Sequence, residues 1–141
     1  MKTIITLILS VVLFSSCGPK ISQEMKESMI TYQALSRGFY LNVEIQGSKM
    51  TIIRERETLG KQYDLSYPDI KEVTHLYQKI NLDELADYKA PTEKRFNDGA
   101  AIANLTVNYQ GKTYNSQGFD HGNPPAEIAV FVNKIVSFTE N

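Results

Sequence analysis

Cysteine is almost absent from this chain. Cys17 is the only one in 141 residues, so no intramolecular disulfide can form. Tryptophan is missing altogether, and aromatic bulk has to come from eight Tyr and six Phe. There are only two histidines, His75 and His121. Neither has a second histidine three or four residues away, so the H-E-x-x-H zinc pattern is excluded, as are the P-loop and the G-x-S-x-G nucleophile elbow. There is no basic run, and the formal net charge is −1. That leaves no electrostatic footprint for nucleic acid and no polybasic surface for lipid headgroups. Internal repeats and low-complexity segments are absent too. The length suits one small domain with a single core.

The longest apolar run is at the start. Lys2 is followed by Ile4 to Phe14, then by the small residues Ser15 and Ser16, then by Cys17. A positive n-region, an apolar stretch too short to span a bilayer and a small-residue end read as a secretory signal over residues 1–16. Phe14-Ser15-Ser16-Cys17 resembles the lipobox of bacterial lipoproteins. The resemblance implies cleavage before Cys17, a diacylglyceryl group on its sulfur and a further acyl chain on its new amino group. Several acyl chains give stable anchoring where one would not. By the same resemblance, Gly18 in place of Asp implies export to the outer membrane in a cell that has two, with the protein facing the periplasm or the cell surface. Residues 17–27 then form a lipidated tether, within which Ile21, Met25 and Met29 recur at helical spacing. Residues 28–141 form a single domain. Loss of residues 1–16 leaves 14 basic and 16 acidic residues.

The best-specified local structure runs from Asp98 to Pro125. Gln110-Gly111 is a turn signal between two alternating segments. Placing it at the turn sets Tyr109 opposite Lys112, Asn108 opposite Thr113, Val107 opposite Tyr114, Thr106 opposite Asn115, Leu105 opposite Ser116 and Asn104 opposite Gln117. One face then carries Ala101, Ala103, Leu105, Val107, Tyr109 and Tyr114. The other carries Asn104, Thr106, Asn108, Thr113, Asn115 and Gln117. A one-residue slip would mix the two, so the register is strongly selected. The polar face reads as a solvated sheet surface; the alternative is a surface for a glycan or a partner strand. Asn104-Leu105-Thr106 matches a glycosylation sequon, which in a bacterial lipoprotein is accidental.

Upstream, Ser28 to Leu35 reads as a strand and Ser36-Arg37-Gly38 as a turn. Phe39 to Ile45 alternates as a half-buried strand, and Gln46-Gly47-Ser48 turns the chain into Met50 to Glu57. The end of that third strand, Arg54-Glu55-Arg56-Glu57, sets two arginines on one face and two glutamates on the other, as a solvated strand end. Gln62 to Ser66 makes a short fourth strand. Pro68 opens a helix capped by Ser66 or Tyr67, with Asp69 complementing its dipole. Ile70, Val73, Tyr77 and Ile80 form its apolar stripe, and His75 falls outside it. Asn81 caps a short turn over Leu82 to Asp87. Asn123 is expected to cap the last helix, with Pro124 in its first turn. Ile128, Phe131, Val132, Ile135 and Phe138 are spaced to cover the sheet. The expected order is ββββ-α-ββ-α, an α+β fold whose antiparallel sheet of about six strands carries its helices on one face.

Two loops hold acids beside turn glycines: Arg95-Phe96-Asn97-Asp98-Gly99 and Phe119-Asp120-His121-Gly122-Asn123. Both fall at the open end of the hairpin, where Arg95, Asp98, Asp120 and His121 form the one constellation able to contact a ligand or partner, or to do acid–base work. Turn chemistry accounts for the same residues. One His and two Asp fall short of a metal-ligand set, and no cofactor is indicated.

The order of elements also resembles small secreted α+β inhibitor modules of the emfourin type, with an early strand after an Arg-Gly turn (Arg37-Gly38-Phe39), a middle helix, a late hairpin and a closing helix. The expected function is that of a monomeric, lipid-anchored envelope protein without catalytic activity, a binding or interaction module with an envelope protein as its partner. Inhibition of an envelope protease is one alternative. A hydrolase or metal-dependent enzyme using Asp98, Asp120 and His121 is another.

Overall fold

The alternating segments of the sequence pair into one antiparallel sheet. The computed structural model describes residues 21–141; the expected signal segment 1–16 and the expected lipidation at Cys17 lie outside the described residues. The strands are β1 (Met29–Ser36), β2 (Phe39–Gln46), β3 (Lys49–Ile53), β4 (Lys61–Asp64), β5 (Ile102–Tyr109), β6 (Lys112–Asn115) and β7 (Phe119–Asp120). They lie in the order β4-β3-β2-β1-β5-β6, with β7 also pairing with β5. The first four strands form a meander. The late hairpin adds to it through β5, which pairs antiparallel with β1, Tyr32 opposite Leu105 and Leu35 opposite Ile102.

Period-two alternation decides the core. Ile30, Tyr32, Ala34, Leu41, Val43, Ile45, Ala103, Leu105 and Val107 are all buried on one face. Three helices add to that cluster, α1 (Gln23–Glu27), α2 (Tyr67–Tyr77) and α3 (Ala129–Ser137), as do Met50 and Ile52 of β3, Phe119 of β7, and Leu65, Leu85 and Ile128. Ser66 caps α2, its side chain accepting from the Asp69 amide, and Ile70, Val73 and Tyr77 point inward. Phe131 of α3 packs on Tyr77 with ring centres 6.0 Å apart. Met25 of α1 is fully buried, and the Thr74 hydroxyl donates to its sulfur at 3.0 Å. Ser28 Oγ and the Tyr77 hydroxyl lie 2.7 Å apart. The folded unit therefore reaches back at least to α1, and residues 23–27, expected in the tether, are packed against the core.

The hairpin register is the expected one from Thr106–Asn115 to Tyr109–Lys112. Gln110 and Gly111 both have positive φ, 49° and 73°, as a two-residue type I′ turn requires. Beyond Asn115 the register departs from expectation. Ser116 N still donates to Leu105 O, but the Leu105 amide is taken by Ser116 Oγ at 2.9 Å rather than by a backbone carbonyl. Ile102 then pairs with Asp120 and Ala103 with Phe119, one residue further along than an unbroken ladder would give. This is a bulge. The Asn104–Gln117 pair is lost, and the Gln117 side chain instead donates to Ala86 O. The extra residue turns Phe119 into the core and Asp120 to the opposite face.

Three further expectations are corrected. β3 ends at Ile53, and Arg54 and Arg56 diverge: Arg54 bonds the carbonyl of Thr139, whereas the Arg56 guanidinium lies 5.9 Å from the Tyr40 ring centre. β4 begins one residue earlier than expected, at Lys61, and ends at Asp64. The last helix starts at Ala129 instead of Pro124. Asn123 pairs with Asp120 in an isolated bridge. Two consecutive prolines explain the delay, because each disfavours helical backbone in the residue before it and neither can donate an amide.

Candidate functional site

The bulge decides what Asp120 does. Its side chain is fully buried and meets the segment that leads into the 3-10 turn Lys94–Asn97. One carboxylate oxygen accepts from the Thr92 hydroxyl at 2.6 Å and the Lys94 amide at 2.7 Å. The other accepts from the Arg95 amide at 3.0 Å and from Arg95 Nη1 at 3.1 Å. Nη1 also donates to Thr92 O. Glu93, which precedes the turn, makes no side-chain cap, so Asp120 satisfies those turn amides from a distant strand. Burial alone would raise its pKa, but the bonds from Thr92, the two amides and Arg95 outweigh it and hold the carboxyl well below the ordinary carboxylate range. Every lone-pair direction of this carboxylate is engaged, which is what a buried charge requires.

His121 projects the other way, as alternation demands. Its Nδ1 lies 2.7 Å from the Tyr32 hydroxyl, and its ring centre is 5.1 Å from that of Phe39. Tyr32 is fully buried on the core face of β1, and burial pushes its phenol pKa up. Burial pushes the His121 pKa down. Both shifts favour the neutral forms of the pair. The ring closes the edge of the core where β1, β2 and β7 meet.

Asp98 ends the 3-10 turn in a left-handed conformation, φ 55°, its amide donating to Lys94 O. It lines the hollow beside Arg37 at the end of the sheet. The two loops do lie together, as the hairpin geometry implies, and Arg95 and Asp120 do meet. The adjacent pair Asp120-His121, however, is divided between the two faces of the sheet. No shared acid–base pair results. Among the described residues, no group of three or more His, Cys, Asp and Glu side chains is placed to hold a metal ion, and no helix is long and apolar enough to cross a membrane.

Thr92, Tyr32, Phe39, Arg37 and Arg56 belong to this end of the molecule and are missing from the sequence-based set. Thr92 is 28 residues from the carboxylate it bonds, and Tyr32 is 89 from its histidine, so no local pattern announces either contact. Comparisons with protein-family models, with characterised proteins and with solved structures give no match, so the site is interpreted from its own geometry.

Proposed function

We propose that this protein is a lipid-anchored bacterial envelope protein that acts as a non-catalytic binding or interaction module. The anchor rests on Phe14-Ser15-Ser16-Cys17 following a short apolar run. The non-catalytic part rests on one observation above all: the buried carboxylate of Asp120 is fully occupied by Thr92, Lys94 and Arg95. A general acid or base needs an open hydrogen-bonding position for substrate or water, and this one is committed to holding a turn. The expected setting is the outer membrane, and the expected partner an envelope protein.

Cys17→Ser tests the anchor. The variant is expected to leave the membrane fraction and to lose labelling by a fatty-acid analogue, and continued labelling defeats the reading. His121→Ala tests the non-catalytic reading through stability. It removes the partner of a buried hydroxyl, an expected cost of about 1–3 kcal/mol, readable as a lower urea midpoint at unchanged slope. In-cell crosslinking of the full-length protein should capture one dominant envelope protein at wild-type level in both His121→Ala and wild type. Loss of capture with stability intact would place His121 in the contact itself.

A further inference from the structure

The end of the sheet that carries the β1–β2 turn gathers three arginines that the folding of the chain does not fully use. Arg37 follows β1, Arg56 follows β3 and Arg95 lies in the 3-10 turn, yet all three line one pocket of about 260 Å³ with Asp98, Leu35 and Ile102. A neighbouring hollow of about 460 Å³ shares Arg37 and Asp98. Arg95 is pre-set: its side chain is only 11% exposed, Nη1 is held by Thr92 and Asp120, and its guanidinium lies 4.3 Å from the centre of the Phe96 ring. Among the described residues its Nε and Nη2 take part in no hydrogen bond. Arg37 and Arg56 form no ion pair among the described residues, although Glu55 and Glu57 flank Arg56 in sequence. The floor is apolar: Leu35 and Ile102 are cross-strand partners, and Ile102 is 49% exposed.

Asp120 already offsets the charge of Arg95, so Arg37 and Arg56 against Asp98 leave the pocket with one surplus positive charge. Guanidinium forks match the paired oxygens of carboxylates and phosphates. An exposed Ile beside them suits a short apolar body attached to the charged head. We propose that this pocket binds a small organic anion, a carboxylate or phosphate head held by Arg37, Arg56 and Arg95 over the Leu35–Ile102 floor. This deepens the binding-module reading by naming a ligand class, and it does not depend on the lipid anchor.

The test titrates the full-length protein in non-ionic detergent with acetate, hexanoate and inorganic phosphate, followed by amide chemical shifts. Saturable one-site binding is expected, with shifts centred on residues 35–37, 56 and 98–102. Hexanoate binding more tightly than acetate identifies the carboxylate with its apolar body; phosphate binding more tightly than acetate identifies the phosphate head. Arg37→Gln and Arg56→Gln, both at exposed positions, should each weaken binding about tenfold, and Asp98→Asn should tighten it several-fold by removing the opposing charge. Absence of saturable binding for all three probes overturns the proposal, as does binding that the Arg37→Gln/Arg56→Gln double variant leaves unchanged. Crosslinking to an envelope protein is a separate readout, so failure of the ligand class leaves the interaction reading standing or falling on its own result.

Discussion

The two faces of the sheet come from the same strands and the same alternation, yet they are under different physical control. On the inner face Tyr32, Val43, Ile45, Leu105 and Val107 are fully buried under three helices. On the outer face Thr31, Gln33, Asn104 and Thr106 are half-buried, and Thr106 Oγ1 bonds Asn115 side chain to side chain across the strands. The inner face is held by area removed from water, and its side chains tolerate no change of volume. The outer face is held by its backbone ladder, and its side chains are largely free to be something else. The segment 92–98 is the exception, because it lies on the outer side and is tied down by four hydrogen bonds from Thr92, Lys94 and Arg95 to the buried carboxylate of Asp120.

Three expected outcomes sharpen that contrast. The largest effect lies on the inner face: Phe131→Ala should cost about 3–5 kcal/mol, read as a lower denaturation midpoint, and deletion of residues 127–141 should abolish cooperative unfolding by circular dichroism. A soluble, cooperatively melting truncation would show that α3 is not required to cover the sheet. Next comes Asp120→Asn. A carboxyl whose pKa folding lowers contributes stability above its unfolded value, near the ordinary 3.8, and loses it as pH falls through the folded value. Wild-type melting temperature should therefore drop steeply below about pH 4. The asparagine variant should melt earlier than wild type at pH 7 and show a shallower acid limb, and equal acid limbs would remove Asp120 from the account. The smallest effect is expected on the outer face, where Thr106→Ala with Asn108→Ala should shift stability by about 0.5 kcal/mol or less. A larger loss there would mean that this face is covered.

Much of the fold was legible in the chain because it is written in local patterns. Gln110-Gly111 specified the turn and the first four pairs of its hairpin, Ser66 and Asn81 specified their caps, and the α3 stripe specified the buried side of that helix. The candidate site was legible only as a neighbourhood. Both loops lie where the hairpin puts them, but the roles within them turned on a one-residue bulge at Ser116 that no pattern announced. That bulge decides which of Phe119, Asp120 and His121 enters the core. The start of α3 was misplaced for a similar reason, since Asn123 is a good capping residue and only the paired prolines after it withhold the helix.

Composition, alternation and turn chemistry act over a few residues, so the amino-acid sequence by itself determined the class of fold, the hairpin, the helix starts marked by side-chain caps and the apolar inventory of the core. The joining of β5 to β1, the burial of Met25 under Thr74, the union of Asp120 with Thr92 and Arg95, and the meeting of Arg37, Arg56 and Arg95 at one end of the sheet span separations of up to 79 residues. Those contacts pay the entropy of closing long loops, and only the packed tertiary structure, in which burial repays it, could decide among them.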